Sequence, residues 1–261
     1  MAISTSLFDM TGKVAVITGS SKGIGRAIAA AMAEHGARVV ISSRKADACE
    51  AVAAEINEKV ADGPGEALSI PANIGDKQAL QALVDSTRER WGRIDVLVCN
   101  AAINPYYGPS SEISDAAFDK ILASNIKSNH WLCHMVLPEM VERNDGSIIV
   151  ISSVGGFQAS TVIGAYCISK AADLQLVRNL AAEYGPHNVR VNAIAPGLVR
   201  TDFARALWEN PETLKLATAT TPLRRIGEPE EVAGVAVYLA SKAGSFATGE
   251  TFVIDGGQTI T

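Results

Sequence analysis

Short, continuously apolar runs separated by amphipathic stretches recur along this chain. The first run, KVAVITG at residues 13–19, is rich in β-branched residues and ends in glycine, which is typical of a buried parallel strand. Six further runs begin near residues 37, 66, 94, 147, 189 and 251. Between the runs, apolar residues recur at helical spacing. The alternation predicts an α/β fold: a doubly wound, seven-stranded parallel sheet with helices on both faces.

Turn-forming and capping residues mark where the predicted elements end. Asp62-Gly63-Pro64-Gly65 is a turn, and Ser114 begins a long helix that continues to about Met140. Residues 201–221 mix large apolar and polar side chains, and we interpret them as short helices forming a lid over a site. Because there is no linker, repeat or low-complexity segment, residues 1–261 are predicted to form one domain.

A glycine-rich turn follows the first strand. Residues 18–25 read TGSSKGIG, in which Gly19 permits a tight turn, Gly23 allows close approach of a pyrophosphate, and Gly25 lets helix and strand pack closely. A strand, this turn, a helix and a second strand fit within about 30 residues, which is the context of dinucleotide binding. The phosphates would lie at the helix N-terminus. The predicted fold is therefore of the Rossmann type.

The end of the second strand indicates which dinucleotide is bound. Residues 42–45 read SSRK, so the carboxylate that would bind the 2′-hydroxyl of NAD is absent. Ser43 and Arg44 instead suit a 2′-phosphate, and Lys22 adds a second positive charge. The sequence therefore predicts NADP(H). The alternative is that Arg44 is a solvated cation at the start of the next helix.

Tyr166 and Lys170 lie four residues apart on a predicted helix, so their side chains are neighbours, roughly 6 Å apart along the axis. An ammonium beside a phenol favours the phenolate, and a cationic nicotinamide ring nearby would add to that effect. Such a pair is also common in surface packing. Ser153 follows the fifth strand, at the edge of the sheet where ligands bind.

Composition and charge exclude several classes of function. The chain is 48% hydrophobic and 20% charged, with a net charge of −5, which argues against a nucleic-acid partner. No apolar run reaches the length of a membrane span, and Met1 to Met10 does not resemble a signal peptide. The four cysteines have neither metal-ligand nor redox-motif spacing. We therefore expect a cytoplasmic protein without a metal ion.

Together these motifs resemble the short-chain dehydrogenase/reductase family, from about residue 11 to residue 257. The matching residues are Thr18-Gly19-x-x-x-Gly23-x-Gly25, Asn100-Ala101-Ala102, Asn125, Ser153, Tyr166-x-x-x-Lys170 and Pro196-Gly197. The resemblance implies an oxidoreductase that acts on C=O and CH–OH groups of a small-molecule substrate. It also implies a homotetramer whose interface includes the predicted helices at 114–140 and 164–184.

The resemblance assigns roles to individual residues. Tyr166 is implied as the general acid, Ser153 as a donor to the substrate oxygen, Lys170 as the group that lowers the tyrosine pKa, and Asn125 as the holder of a relay water. The implied cofactor-binding residues are Gly19, Ser21, Lys22, Gly23, Ile24, Gly25, Ser43, Arg44, Asn73, Ile74, Asn100, Ala101, Tyr166, Lys170, Pro196, Gly197, Val199 and Thr201.

Two departures from the family's pattern are visible. Ala102 stands where the family commonly has glycine, and Asn73 stands where it commonly has aspartate. We expect the first to narrow the room beside the cofactor and the second to weaken the contact with adenine.

A narrower resemblance is to NADPH-dependent carbonyl reductases related to the peroxisomal dicarbonyl and retinal reductases of animals, although the chain ends Thr259-Ile260-Thr261, without their peroxisomal tripeptide. It implies reduction of a ketone or dicarbonyl. The alternatives are an NAD-dependent secondary alcohol dehydrogenase, a 3-oxoacyl reductase and a non-catalytic NADPH sensor. The candidate substrate residues are Asn104, Tyr106, Phe157, Leu198, Phe203 and Trp208.

Overall fold

The computed structural model of the protein describes residues 7–260. Within that range the strands are Val14–Thr18 (β1), Arg38–Ser42 (β2), Glu66–Ser69 (β3), Val96–Cys99 (β4), Gly146–Ile151 (β5), Val189–Pro196 (β6) and Thr251–Ile254 (β7). The α-helices in the same range are Gly23–Glu34 (α1), Ala46–Lys59 (α2), Lys77–Trp91 (α3), Asp115–Leu122 (α4), Ser128–Arg143 (α5), Gly164–Tyr184 (α6), Arg205–Trp208 (α7), Pro211–Thr218 (α8) and Pro229–Ala240 (α9).

The strands form one parallel sheet in the order β3-β2-β1-β4-β5-β6-β7. Val16 of β1 pairs with Val40 of β2 on one side and with Leu97 of β4 on the other. The direction of chain progression therefore reverses at β1, and in such sheets ligands bind in the crevice at the carboxyl ends of the strands around this point. The predicted doubly wound, seven-stranded parallel sheet is confirmed.

Both faces of the sheet are buried, which explains why its strands are apolar at consecutive positions. Neighbouring strand residues point to opposite faces. Ile17 packs with Met32 of α1 in one apolar layer, which also includes α9. Val16 belongs to the other layer, together with residues of α3, α5 and α6 such as Leu80 and Leu132. The core therefore consists of two layers separated by the sheet.

Strand β3 is shorter than predicted. The run that predicts this strand extends from Glu66 to Ala72, but the strand ends at Ser69. Beyond that point the chain still follows β2, because Ala72 N donates to Ser43 O at 3.0 Å. The apolar run thus marks the path of the chain correctly but overstates the length of the strand.

The long helix predicted from Ser114 to about Met140 is not continuous. Ser114 caps α4, as predicted, by accepting from Ala117 N at 3.3 Å. One π-helical turn, Ala123–Lys127, then separates α4 from α5, and α5 continues to Arg143. Such turns are frequent at functional sites.

Residues 201–221, the predicted lid, form a 3₁₀ turn at Asp202–Ala204 followed by α7 and α8. The indole of Trp208 donates to Thr201 O at 2.8 Å and ties α7 to the start of this segment. No helix among residues 7–260 is long and apolar enough to cross a membrane. The one-domain division of residues 1–261 and the interpretation of Met1 to Met10 include residues outside the described range, and both stay predictions.

Candidate active site

A cleft of about 1210 Å³ extends along the carboxyl edge of the sheet. It is lined by the loops that follow β1 to β6, on both sides of the reversal point. The predicted cofactor-binding residues that line it are Gly19, Ser21, Lys22, Gly23, Ile24, Ser43, Arg44, Asn73, Ile74, Asn100, Ala101, Tyr166, Lys170, Pro196, Gly197, Val199 and Thr201. The remaining predicted residue, Gly25, is buried and does not line the cleft. The residues that the sequence places far apart are thus brought together in one cleft.

The glycine loop between β1 and α1 has the backbone that its sequence predicts. Gly19 and Gly23 adopt left-handed conformations, with φ of 66° and 56°, which residues with a Cβ rarely adopt. A Cβ on Gly25 would lie 2.5 Å from Asn100 Nδ2, so close packing here requires glycine. No side chain caps α1 at Lys22, which leaves its first N–H groups available to an anion. These features fit a dinucleotide pyrophosphate.

Asn100 joins the loop after β4 to the glycine loop. Its Nδ2 donates to Thr18 O at 2.8 Å and to Gly19 O at 3.2 Å. The backbone N–H groups of Asn100 and Ala101 both donate to Thr18 Oγ1 at 3.1 Å. The amide of Asn100 therefore shapes the cleft by holding two of its loops together.

The loop after β2 carries the groups predicted to select the cofactor. Ser43, Arg44 and Lys45 all line the cleft. Within residues 7–260, Arg44 takes part in no ion pair. Lys22 differs, because its Nζ lies 3.1 Å from Asp202 Oδ2. The second cation predicted for the 2′-phosphate is therefore already paired with a carboxylate of residues 201–221.

Asn73, predicted to contact adenine, also lines the cleft. Its Oδ1 accepts from Gly75 N at 3.1 Å. This bond uses one acceptor site of the amide oxygen and closes a local turn, so the side chain is held by its own loop.

Tyr166, Lys170 and Ser153 meet at the β5 end of the cleft. Lys170 Nζ lies 5.7 Å from the centroid of the Tyr166 ring and donates to Ile151 O at 2.8 Å. Ser153 follows β5, where its hydroxyl accepts from Gly155 N at 3.1 Å and interacts with the Tyr166 hydroxyl. The spacing on α6 and the end of β5 therefore bring a phenol, an ammonium and a hydroxyl together.

Burial raises the pKa of Tyr166 above its ordinary value, and the Lys170 ammonium and the Ser153 hydroxyl oppose this only in part. The sequence predicts that Lys170 lowers the pKa of Tyr166. With the protein's own groups alone, the pKa of Tyr166 is instead raised. The reason is that Tyr166 is only 9% exposed, and desolvation penalises the phenolate. Tyr166 therefore keeps its proton at neutral pH, which is the state that a general acid requires.

Asn125 lies in the π-helical turn and is fully buried behind the cleft. Its Oδ1 accepts from Ile103 N at 2.9 Å, and its Nδ2 donates to Ile103 O and to Ser169 Oγ, both at 3.0 Å. Its main-chain oxygen accepts from Asn129 Nδ2 at 2.7 Å. Asn125 thus fixes the loop after β4 against α6 and does not itself line the cleft.

Two of the six predicted substrate residues, Leu198 and Phe203, line the cleft. The Phe203 ring centroid lies 5.7 Å from that of Tyr166. Because Phe203 belongs to residues 201–221, this contact connects the predicted lid to the phenol at the centre of the site.

The structure does not bring the other four to the lining of the cleft. Phe157 is 53% exposed, and the hydroxyl of Tyr106 donates to Pro109 O at 2.8 Å. Asn104 has a buried Oδ1 that finds no hydrogen-bond partner among residues 7–260. Trp208 lines a second cavity of about 400 Å³, whose other lining residues come mainly from α1, α2, α9 and the loop after β6. Proximity in sequence to a motif did not determine where these side chains point.

Two groups of residues were missed by sequence reasoning. The first is a buried polar pair behind Lys170: Asp173 Oδ2 lies 3.0 Å from Lys170 Nζ, and Asp173 Oδ1 accepts from Asn129 Nδ2 at 3.0 Å. An available signal was an aspartate next to Leu174 on the apolar face of a helix.

The second group adds cleft-lining side chains near Ser153 and Tyr166: Val154, Gln158, Ser160, Ile163, Cys167 and Leu207.

Residues 7–260 contain no group of three or more His, Cys, Asp or Glu side chains that could hold a metal ion. The cysteines Cys49, Cys99, Cys133 and Cys167 are free and buried.

Comparison with known proteins identifies the family. The family model described as enoyl-(acyl carrier protein) reductase matches residues 19–259. Dehydrogenase/reductase SDR family member 4 of Bos taurus is 41% identical over 252 residues, which cover 95% of this chain and 88% of that protein. The chain belongs to the short-chain dehydrogenase/reductase family.

Solved structures of short-chain dehydrogenases/reductases share the fold. One from Mycobacterium marinum matches with a TM-score of 0.90 and 36% identity over 98% of this chain and 99% of that one. A gluconate 5-dehydrogenase from Burkholderia cenocepacia, in complex with NADP and tartrate, matches with a TM-score of 0.92 and 29% identity over the same shares. As a family member, this chain is an oxidoreductase that uses a nicotinamide cofactor to interconvert carbonyl and alcohol groups of a small molecule. The predicted family and enzyme class are confirmed.

Proposed function

We propose that the protein is an NADP(H)-dependent reductase of ketones or dicarbonyls. The observation that carries this proposal is the buried, protonated Tyr166 beside the Ser153 hydroxyl and the Lys170 ammonium at one end of a dinucleotide-sized cleft. A proton donor, a hydrogen-bond donor for a developing oxyanion and a cation are the groups that carbonyl reduction requires.

Each side chain has a distinct role in this proposal. When bound, the nicotinamide supplies the hydride that reduces the carbonyl carbon. Tyr166 donates its phenolic proton to the carbonyl oxygen, and Ser153 donates a hydrogen bond to the same oxygen, an effect of about 3–4 kcal/mol in comparable sites. Lys170 stabilises the phenolate that remains. In the oxidation direction the phenolate of Tyr166 is the base.

Lys170 and Asn125 would assist the proton donor, Tyr166, without donating the proton themselves. An ammonium has three N–H donors, and two of those on Lys170 bond to Ile151 O and Asp173 Oδ2. We assign the third to a ribose hydroxyl of the nicotinamide nucleotide. Asn125 holds the π-helical turn in place. We also assign to it the relay water through which Tyr166 regains a proton.

The choice of NADP(H) rests on Arg44. Its guanidinium lines the cleft at the end of β2 and is not engaged in an ion pair with any residue in the range 7–260. A guanidinium binds a phosphate through charge-assisted, paired hydrogen bonds. The complex of the Burkholderia cenocepacia gluconate 5-dehydrogenase with NADP is consistent with this choice.

The lining of the cleft near Tyr166 supports a bulky or aromatic substrate. Phe203, Leu207 and Val154 supply apolar surface there, and Phe203 already packs near the Tyr166 ring. An apolar pocket with a few polar groups suits an aromatic ketone or dicarbonyl better than a small polar sugar.

Other activities of this fold are the alternatives. An NAD-dependent alcohol dehydrogenase or a 3-oxoacyl reductase would use the same Tyr166, Ser153 and Lys170 with a different cofactor or substrate. The description of the matching family model names enoyl reduction. Against that activity stands the four-residue spacing of Tyr166 and Lys170. The resemblance to the family implies a wider spacing of these two residues in its enoyl reductases.

The test is oxidation of NADPH against NADH with an aromatic 1,2-dicarbonyl, with Tyr166→Phe as the control. We expect NADPH to be consumed much faster than NADH and the variant to be inactive. A preference for NADH would contradict the role of Arg44. Equal activity of Tyr166→Phe would contradict the proposed chemistry. Binding of NADPH without turnover of any carbonyl would favour a sensor.

We further propose that the enzyme is a homotetramer. Ile168 on α6 is 51% exposed, Val253 of the edge strand β7 is 37% exposed, and Phe246, five residues before that strand, is fully exposed. Exposed apolar side chains on α6 and on an edge strand suit two separate interfaces. Light scattering after gel filtration should give four times the monomer mass, and Val253→Glu should give dimers. A monomeric wild type would contradict the assignment.

A cytoplasmic location is also proposed. Its support is that the four cysteines are buried free thiols, as in proteins kept in reducing compartments. Fractionation of the source cells, followed by detection of the untagged protein, should find it in the cytoplasm, and recovery in an organelle or membrane fraction would contradict this.

A further inference from the structure

A carboxylate is buried directly behind the lysine that faces Tyr166. Asp173 lies three residues after Lys170 on α6 and is completely buried. Its Oδ2 lies 3.0 Å from Lys170 Nζ, and the lysine side chain is only 2% exposed. The pair therefore has almost no contact with solvent, so each charge depends on the other.

The second oxygen of Asp173 is fixed from α5. Asn129, which is 2% exposed, donates its Nδ2 to Asp173 Oδ1 at 3.0 Å and to Asn125 O at 2.7 Å. Hydrogen bonds thus connect the π-helical turn through Asn129 and Asp173 to Lys170. Of these four residues, only Lys170 lines the cleft. Asp173 and Asn129 therefore make no direct contact with a molecule bound in the cleft, and Lys170 is the member of this chain of hydrogen bonds that does.

We propose that Asp173, oriented by Asn129, is a positioning residue that keeps the Lys170 ammonium charged and fixed beside Tyr166. This role rests on the reductase function proposed above, because it matters only if Lys170 stabilises the Tyr166 phenolate.

The charges support this role. Burial on its own lowers the pKa of Lys170, but the Asp173 carboxylate reverses the direction, and the pKa is raised. Burial raises the pKa of Asp173, which the Lys170 ammonium and the Asn129 hydrogen bond oppose. Removing the carboxylate would leave an uncompensated buried ammonium, and such groups give up their proton. Tyr166 would then lose its cationic neighbour.

The other titratable groups around the pair are thiols and Tyr166. The hydrogen bond with Cys133 and burial raise the pKa of the Cys99 thiol, which faces the pair from the end of β4. Burial raises the pKa of the Cys167 thiol beside Tyr166. Both thiols are therefore neutral in the working pH range, and neither replaces the negative charge of Asp173.

The test is the pH dependence of kcat for alcohol oxidation by Asp173→Asn. With the amine neutral, we expect the ascending limb of the profile to move to higher pH by about one unit or more, which lowers kcat at neutral pH at least tenfold. The carboxylate also raises the pKa of Tyr166 directly. If Lys170 kept its charge without Asp173, the limb would therefore move to lower pH. That result, or an unmoved limb, overturns the proposal.

Two further variants separate this role from a structural one. Asp85→Asn makes the same chemical change on the exposed face of α3 and should leave the limb unmoved. Asn129→Leu keeps the carboxylate but removes its orienting donor, and it should move the limb in the same direction as Asp173→Asn by a smaller amount. If Asp173→Asn does not fold, a wild-type limb in Asn129→Leu overturns the proposal.

Tyr166→Phe, assayed alongside, distinguishes the two proposals. Full activity of Tyr166→Phe means that the reductase chemistry itself fails. An inactive Tyr166→Phe, combined with wild-type limbs in Asp173→Asn and Asn129→Leu, means that only the role of Asp173 fails.

Discussion

The Lys22 ammonium lies 3.1 Å from the Asp202 carboxylate, so an ion pair joins the glycine loop to residues 201–221. Asp202 also pairs with Arg205 of α7 at 2.6 Å. Exposed pairs of this kind contribute little to stability, because water screens both charges. Lys22 therefore has an alternative partner to a cofactor phosphate, whereas Arg44 makes no ion pair within residues 7–260.

This difference predicts unequal contributions of the two cations to cofactor choice. Arg44→Ala should raise the KM for NADPH about tenfold or more, because charge-assisted bonds to a phosphate contribute about 1.5–3 kcal/mol. Its KM for NADH should be unchanged. Lys22→Ala should raise the KM for NADPH no more than about threefold, since that charge is shared with Asp202. Initial rates with both cofactors decide the matter, and a larger effect of Lys22→Ala would reverse the assignment.

The raised pKa of Tyr166 predicts that reduction and oxidation respond differently to pH. Reduction uses the protonated phenol, so its kcat/KM should be flat from about pH 6 into the alkaline range, below the pKa of the phenol. Oxidation uses the phenolate, so its kcat/KM should rise about tenfold per pH unit until that pKa is reached. Profiles in both directions test this. A reduction rate that falls between pH 6 and 7 would contradict the raised pKa of Tyr166.

Replacing Thr18 should destabilise the protein, and a matched control variant can show that the effect comes from the lost hydrogen-bond acceptor. Thr18→Val removes the oxygen that accepts from Asn100 N and Ala101 N and should lower the free energy of unfolding by about 1–3 kcal/mol, because buried N–H groups lose their acceptor. The matched control is Thr87→Val. The Thr87 hydroxyl donates to Leu83 O at 2.7 Å. That oxygen lies within α3, where it also accepts from a helical N–H. The free energy of unfolding should therefore fall by less than about 1 kcal/mol. Urea unfolding of both variants measures the difference, and equal losses would contradict the role of Thr18.

Two helical glycines predict opposite effects of the same substitution. A Cβ on Gly25 would lie 2.6 Å from Gly19 O, whereas a Cβ on Gly234 in α9 would meet no atom of the described part of the chain within 4 Å. Gly25→Ala should destabilise by about 1–3 kcal/mol through overpacking and should weaken binding of the dinucleotide. Gly234→Ala should stabilise by up to about 1 kcal/mol, because alanine favours a helix. Thermal unfolding and a cofactor titration compare them. A Gly25→Ala protein with the stability of the wild type would contradict the close approach.

The parts of the fold that the sequence predicted are those set by local physics. Buried parallel strands are apolar on both faces, as Val16 and Ile17 show, and a left-handed turn such as that at Gly23 favours glycine. The convergence of Ser153 with Tyr166 follows in turn from the sheet, because the carboxyl ends of parallel strands share one edge.

The parts that were missed depend on contacts across the fold. Lys22 and Asp202 are 180 residues apart, and no local pattern pairs them. Phe157 lies close to Ser153 in sequence, yet the 3₁₀ turn at Val154–Gly156 leaves its ring exposed. The direction of a side chain after a turn is decided by packing, which a single sequence does not reveal.

The central position of β1 has a consequence for synthesis on the ribosome. β1 pairs with β2, which follows within about 20 residues, but its other edge pairs with β4, where Ile17 lies opposite Val98. At translation rates of about 5–20 residues per second, those 80 intervening residues take on the order of 10 s to emerge. During that interval the nascent chain presents an unpaired apolar strand edge. We therefore expect this stretch of elongation to be the period in which a chaperone, or a neighbouring nascent chain, most readily captures the polypeptide.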